Sequence, residues 1–255
     1  MPKEKSIIII PTYNESENIA KIIHEIFSLN ANFRILVVDD NSPDNTSNCV
    51  EKIMHNYEQK LFLLSRKKKI GLGPAYIDGF KWAIKNNYEY IYEMDADFSH
   101  NPKDLTRMNV FLTNNGYDVV VGSRYKTGVN VVNWPIQRVL ISYFASWYAR
   151  KITGTPIKDL TSGFVGYKSK VIKDILKRGI KFKGYAFQIE MKYKAYKLKY
   201  KLYEIPIIFT ERVRGESKLN LSIISEAVFG LISMKIKDIF FKNYKWKYYL
   251  KMLKL

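Results

Sequence analysis

A single cysteine occurs in 255 residues. Cys49 has no partner for an intramolecular disulfide, which points to a reducing compartment. Acidic residues are scarce: 24 Asp and Glu stand against 42 Lys and Arg, a net charge of +18. That excess favours anionic partners such as nucleic acid, anionic lipid headgroups or phosphorylated substrates, although a bias toward Lys, Ile, Asn and Tyr supplies part of it. No uninterrupted apolar run reaches the roughly 18 residues that mark a candidate membrane-spanning helix. The nearest stretch, Ile223–Met234, is short and carries Glu226. Ser6–Ile10 is too short for the apolar region of a secretory signal, and Pro11 ends it. Linkers rich in Gly, Ser or Pro, repeats and low-complexity segments are all missing.

Three further absences bear on chemistry. Without a Gly-x-Ser-x-Gly elbow, acyl-transfer hydrolysis lacks its signature. The phosphate loop ending in Gly-Lys-Ser/Thr is absent, and Pro11-Thr12-Tyr13-Asn14-Glu15 occupies the place where a dinucleotide fingerprint would follow the first strand. Gly71-Leu72-Gly73-Pro74 is then expected to form a tight turn into a helix starting near Ala75. His24, His55 and His100 are scattered, with no second His or Cys at metal-ligand spacing, which argues against zinc.

What is present is a globular composition, 47% hydrophobic and 26% charged, long enough for one large α/β domain or two small ones. Short β-branched runs (Ser6–Pro11, Ile35–Asp39, Leu61–Ser65, Tyr90–Met94, Asp118–Gly122) alternate with helical patterns (Glu17–Leu29, Ser47–Tyr57, Ala75–Asn86, Leu105–Asn114). The runs are nearly continuous in apolar residues, as strands covered on both faces should be. The expectation is an α/β fold, a mainly parallel sheet flanked by helices. Beyond residue 126 the rhythm changes. Gln137–Ile152 is expected to be an amphipathic helix, Thr161–Tyr167 a strand, Ala186–Leu198 a helix, Leu202–Thr210 an edge strand because of Pro206, and Ile223–Phe241 a long amphipathic helix. One domain, residues 1–225, with a basic and aromatic segment at 226–255, is the simplest division.

Function in such sheets sits beyond the carboxyl ends of the strands, and the polar clusters fall there. Asp95-Ala96-Asp97 follows the fourth run. Two like charges so placed repel unless a cation sits between them, and Mg²⁺ or Mn²⁺ shared with a substrate diphosphate suits one or two carboxylates. Asp39-Asp40 ends the second run. Capping and turn formation by Ser42 and Asp44 around Pro43 account for those two residues but not for adjacent carboxylates, which would suit a nucleobase N–H or a ribose hydroxyl. Arg124, Arg138, Arg212, Arg214 and Lys218 lie in or beside loops, where converging guanidinium groups would grip phosphate oxygens.

Taken together, Pro11–Glu15, Val38–Asp44, Gly71–Tyr76, Met94–His100, Gly122–Tyr125, Asp159–Phe164 and Arg212–Lys218 carry a resemblance over roughly residues 6–225. The chain resembles the family 2 inverting glycosyltransferases of GT-A (Rossmann-like) fold, and within them the polyprenol or dolichol phosphate mannosyltransferases. The resemblance implies that Pro11, Tyr13 and Glu15 line the nucleotide pocket, with Val38 and Asp40 against base and ribose. It implies Asp95 and Asp97 as metal and diphosphate ligands, Ala96 touching the nucleotide, Arg124 and Arg138 on donor and acceptor phosphates, and Arg212 and Lys218 closing from a loop. Ser99 stands where some relatives supply a further metal ligand. The implied cofactor is Mg²⁺ or Mn²⁺; the implied partners are GDP-mannose and a polyprenyl or dolichyl phosphate lipid. Many relatives continue into transmembrane helices where this chain ends, so the short, single-domain type is expected.

A lipid acceptor requires contact with a membrane. Lysines from Lys235 to Lys254, interleaved with Phe240, Phe241, Tyr244, Trp246, Tyr248 and Tyr249, suit an anionic membrane surface; a membrane-anchoring partner protein is the other route. The expected location is cytoplasmic, peripheral on the membrane's cytoplasmic face. Two alternatives remain open: a sugar nucleotide such as UDP-glucose with a polyprenyl-phosphate or saccharide acceptor, and a basic nucleic-acid-binding protein. Dispersed basic residues and the lack of paired RNA-binding aromatics argue against nucleic acid.

Overall fold

A computed structural model describes residues 5–29, 31–184, 186–211 and 230–236. Isoleucine and valine runs form the strands: β1 (Ser6–Thr12), β2 (Phe33–Asp39), β3 (Leu61–Ser65), β4 (Tyr90–Glu93) and β5 (Val119–Ser123). Between them lie α1 (Ile19–Ser28), α2 (Thr46–Met54), α3 (Leu72–Lys85) and α4 (Lys103–Thr113). α1 buries Ile19, Ile22, Ile23 and Ile26, the spacing that sets one stripe of a helix against a sheet. The second half supplies β6 (Val131–Val132), α5 (Ile136–Thr153), β7 (Val165–Lys168), α6 (Ser169–Lys177), α7 (Ala186–Lys197), β8 (Leu202–Pro206) and β9 (Phe209–Thr210). Residues 230–236 are helical.

Seven strands form one sheet in the order β3-β2-β1-β4-β7-β5-β8. Every pairing is parallel except those of β7, which runs antiparallel to both β4 and β5. Each strand feeds two cores. Ile7, Ile9, Leu36 and Val38 join one with α3, α6 and α7; Ile8, Ile10, Ile35 and Val37 join the other with α1 and α4. Burial on both faces explains why these runs lack polar alternation.

The expected α/β fold, with its mainly parallel sheet, is observed. The differences are local. α3 begins at Leu72, so Gly73 and Pro74 lie in its first turn, where proline's missing N–H costs nothing. The strand expected over Thr161–Tyr167 is shorter and later, because 159–164 is a loop tied down by side chains. Leu202–Thr210 divides in two: β8 is indeed the sheet's edge, and Phe209 and Thr210 pair with Val131 and Val132 instead. α6 was not anticipated. The expected helix over Gln137–Ile152 is present as α5, with its large apolar residues facing outward. Leu231 and Met234 are buried in the α3, α6 and α7 core. The rest of the expected Ile223–Phe241 helix lies outside the described residues, as do the tail aromatics.

Candidate active site

The chain leaves β1 outward to β2 and β3, then returns to place β4 on the other side of β1. At such a switch point the connections diverge and open a crevice at the carboxyl ends. Asp95-Ala96-Asp97 follows β4 there. Asp97 and Ala96 are buried, while the Asp95 side chain is 38% exposed. Phe98 adopts a left-handed φ of 60°, an uncommon conformation for a bulky residue. The turn directs the Ser99 N–H onto Asp97 Oδ1 at 3.1 Å. It also brings His100 back beneath Asp95, whose N–H donates to His100 Nδ1 at 3.4 Å. Burial lowers the His100 pKa to about 4, against the raising pull of Asp97. The imidazole is therefore neutral at pH 7, and its 3.9 Å approach to Asp95 Oδ2 is not an ion pair.

Antiparallel β7 explains how a second motif reaches the first. Its direction delivers the loop 159–164 to the same end of the sheet as the ends of β4 and β5. A Cβ on Gly163 would stand 4.0 Å from Asp95 Oδ2. Asp159 in that loop is fully buried and grips Arg124 with both oxygens, Nε to Oδ2 at 2.7 Å and Nη2 to Oδ1 at 2.7 Å. Arg124 Nη2 also donates to Thr161 Oγ1 at 2.8 Å. Burial alone would raise the Asp159 pKa; the charge and hydrogen bonds of Arg124 outweigh it and hold the pKa below the usual carboxylate value. Arg124, expected on substrate phosphates, is thus first a buried strut, with its charge still felt at Asp95.

Beneath the loop lies a polar chain invisible in the sequence. Lys192 Nζ donates to the Ser162 carbonyl at 2.7 Å and to Gln188 Oε1 at 3.2 Å. Gln188 Nε2 donates to Glu93 Oε2 at 2.8 Å. All three side chains are buried, and burial pushes Glu93 up and Lys192 down in pKa, each partly offset by the other. The chain runs from the support of Ser162 to the residue two before Asp95.

The other side of the crevice is built around β1 and β2. Pro11 lies in β1 beside Val38 in register. The Val38 side chain is wholly buried, under α3 at Gly79, so what it can offer a base is backbone. Asp39 is consumed by structure: it accepts from Thr12 Oγ1 at 2.8 Å, Ser42 Oγ at 2.6 Å and Ser47 Oγ at 2.8 Å. Asp40 pairs with Arg66, which also reaches Asp78 at 3.0 Å. Burial raises the Asp40 pKa despite that cation. The Glu15 N–H donates to Thr46 Oγ1 at 3.0 Å, and Lys69 Nζ sits 3.8 Å over the Tyr13 ring. Tyr13 and Glu15 follow Thr12, whose carbonyl accepts from the Asp40 N–H at 3.1 Å.

Arg138 approaches from α5. It pairs with Glu211 and stacks 4.2 Å over Trp134, with its Nε buried and without a partner. Trp134 meets Phe209 at 5.1 Å, and Phe209 meets His100 at 5.2 Å. This aromatic bridge links Arg138 to the Asp95–His100 turn. Arg212 and Lys218 lie outside the described residues.

Residues 7–176 match the family described as Glycosyl transferase family 2. The chain belongs to that family. It is a glycosyltransferase. Two relatives are similar over most of both chains. One is a polyprenol monophosphomannose synthase of Mycolicibacterium smegmatis, 38% identical over 236 residues, 92% of this chain and 89% of the relative. The other is an undecaprenyl-phosphate mannosyltransferase of Micrococcus luteus, 38% identical over 222 residues, 87% and 90% of the two chains. Among solved structures, glucosyl-3-phosphoglycerate synthase from Mycobacterium tuberculosis with Mn²⁺, UDP and glucosyl-3-phosphoglycerate superposes with TM-score 0.66 at 16% identity, covering 91% of this chain and 80% of that one. Mannosyltransferase PcManGT from Pyrobaculum calidifontis, with GDP-Man and Mn²⁺, gives 0.55 at 16% identity over 84% of this chain; the chain spans 59% of that structure's length. At such identities these two neighbours bear on fold, which they share with this glycosyltransferase.

Among the described residues no cluster of three or more His, Cys, Asp or Glu could hold a metal ion. Two carboxylates, with the remaining positions left to water and diphosphate oxygens, are the donor set Mg²⁺ and Mn²⁺ accept. The buried Ser99 Oγ beside them lacks a partner in the structure. The residues present therefore fit a divalent cation held by Asp95 and Asp97. Sequence reasoning missed Arg66, Gln188 and Lys192. Each acts through a contact at least 26 residues away, and none carries a local signature.

Proposed function

We propose that the protein transfers mannose from GDP-mannose to a polyprenyl phosphate, with inversion at the anomeric carbon, giving polyprenyl phosphate mannose. The observation that carries this reading is the 38% identity, over about nine-tenths of the chain, to two enzymes whose names specify a polyprenyl phosphate and mannose. The geometry is consistent with it. A phosphate monoester has a second pKa of about 6 and is largely dianionic at neutral pH, so the acceptor oxygen needs no protein base. Among the described residues the imidazole beside Asp95, His100, is buried and its pKa is lowered, which leaves it a weak proton acceptor. Asp95 and Asp97 would hold the divalent cation. When bound, such an ion supplies Lewis-acid stabilisation to a departing diphosphate. Arg138, and Arg124 through its fixed charge, lower the cost of bringing an anionic acceptor toward an anionic donor. Tyr13, Glu15, Asp40 and the backbone at Pro11 and Val38 would face the nucleoside, and Arg212 with Lys218 would close over the phosphates. Residues 1–225 would form the catalytic unit, with 226–255 as an accessory segment. The protein would work peripherally on the cytoplasmic face of an anionic membrane, through its own basic surface or an anchoring partner.

The test is a panel of radiolabelled sugar nucleotides, including GDP-mannose and UDP-glucose, with a detergent-dispersed polyprenyl phosphate and Mn²⁺. Label should enter the organic phase from GDP-mannose. Transfer from UDP-glucose in its place would overturn the donor assignment, and no transfer from any donor would overturn the activity.

A further inference from the structure

Nine of the twelve residues of α7 are buried, and Lys192 is wholly so. Packing alone would be served there by leucine or methionine, because an ammonium group taken out of water is costly unless charge and hydrogen bonds compensate. Here the compensation is specific. A lysine has three N–H donors. Lys192 Nζ donates to the Ser162 carbonyl at 2.7 Å, the Gln188 carbonyl at 3.1 Å and Gln188 Oε1 at 3.2 Å. The last two partners lie one turn back on the same helix. Ser162 lies 30 residues away, in the loop 159–164.

That loop touches two groups of the site at once. Before Ser162, Asp159 and Thr161 hold the Arg124 side chain. After it, Gly163 lies against Asp95 and Gln188: a Cβ there would stand 4.0 Å from Asp95 Oδ2 and 3.9 Å from Gln188 Nε2. Two further bonds tie the loop to the sheet. The Asp159 N–H donates to Glu204 Oε1 in β8 at 2.9 Å, and Ser162 Oγ donates to the Gly122 carbonyl in β5 at 2.6 Å. The bond from Lys192 ties it to α7, and Gln188 carries the chain on to Glu93 in β4 at 2.8 Å, the strand that leads into the Asp95 turn. Lys192 therefore holds the loop between the carboxylate of Asp95 and the guanidinium of Arg124, two groups that feel each other's charge.

We propose that Lys192 is a positioning residue of the transferase: through the Ser162 carbonyl it sets the loop 159–164, and with it the separation of Asp95 from Arg124 that a divalent cation and its phosphate oxygens require. This rests on the reading above that Asp95 and Asp97 hold the cation. Removing a group that orients a metal ligand typically costs roughly 10–100-fold in metal affinity or activity. The test reads Mn²⁺ binding to the full chain in the presence of GDP, from the paramagnetic resonance signal of the free ion, and needs no catalysis. Lys192→Met keeps the length of the side chain and removes its donors; it should weaken Mn²⁺ binding about tenfold or more. Ile189→Ala opens a cavity from the same helix, in the apolar core with α3 and α6. It should lower the melting temperature and leave Mn²⁺ binding at the wild-type value. The double variant E93Q/K192M leaves no buried ion without its partner, so it should melt above K192M. It still lacks the donor to Ser162 and should bind Mn²⁺ as weakly as K192M; it carries the comparison with wild type if K192M does not fold.

Wild-type Mn²⁺ affinity in K192M or in E93Q/K192M overturns the proposal, since the lysine would then serve only the packing of α7. So does equal weakening in Ile189→Ala, which would trace the effect to general loosening of the helix. Asp97→Ala separates this proposal from the reading it rests on. If Asp97→Ala binds Mn²⁺ as the wild type does, the cation site lies elsewhere and both fall; if Asp97→Ala is weakened and K192M is not, only the role of Lys192 falls.

Discussion

Asp159 and Arg124 show how a charged pair can be deeply buried and still stable: both carboxylate oxygens and three guanidinium-side contacts are satisfied within 3 Å. Because the Asp159 pKa lies below its ordinary value, the stability it contributes is complete above that value and is lost as pH falls through the lowered one. Arg124→Met leaves the carboxylate buried without its cation, at a cost of about 3–5 kcal/mol at neutral pH. The orphaned acid's pKa then rises, so the gap between wild type and variant should narrow on acidification to about pH 4. Urea unfolding at pH 7 and pH 4 measures this; a gap independent of pH would contradict it. Two exchanges at the site separate donor from acceptor. Asp97→Ala should lower turnover on the order of 10²–10³-fold or more without unfolding the protein. Arg138→Ala should chiefly raise the acceptor KM, leaving that for the sugar nucleotide nearly unchanged. At this scale the sequence places Asp95 and Asp97 just past the end of a strand, a local feature that the structure shows, and is silent about Arg66, Gln188 and Lys192, whose partners are set by chain crossings.

Among the elements, α3 packs closely against the sheet. A Cβ on Gly79 would come within 2.7 Å of Ile9 Cγ2 and 3.3 Å of Val38 Cγ2. Gly79→Ala should therefore destabilise the protein by about 1–3 kcal/mol through overpacking, despite alanine's better helix propensity. A thermal melt no lower than wild type would refute that packing account. The early strands were legible because continuous β-branched runs declare burial on both faces. β7 was harder to delimit: four residues alternate little, and its antiparallel insertion depends on neighbours far away in sequence. The helix at α5 was legible from its pattern, but periodicity alone does not say which stripe faces the protein, and the structure turns the large apolar residues outward. Ser142, Ser146 and Ala149 could face inward because the site beneath is polar and close.

For the molecule as a whole, the carboxyl-end crevice brings Asp95 and Asp97 near the paired cations Arg124 and Arg138, so a nucleoside diphosphate and a divalent cation should stabilise the fold most strongly together. GDP with Mn²⁺ at about 100 times the dissociation constant should add about 2.7 kcal/mol. A thermal shift in the wild type that is absent in Asp97→Ala checks this; an equal shift in both would move the metal away from Asp97. The order of apolar runs and polar clusters along the chain was enough to specify the sheet class and the end of the sheet at which Asp95 and Asp97 lie, because those depend on local period and on the rule that parallel strands present their loops at one end. Tertiary structure alone decided that Arg124 is held by Asp159, that a buried lysine supports the loop beside Asp95, and that α5 turns its apolar face outward. Each of those is a contact between segments tens of residues apart, where burial and partner choice are fixed only once the chain has closed.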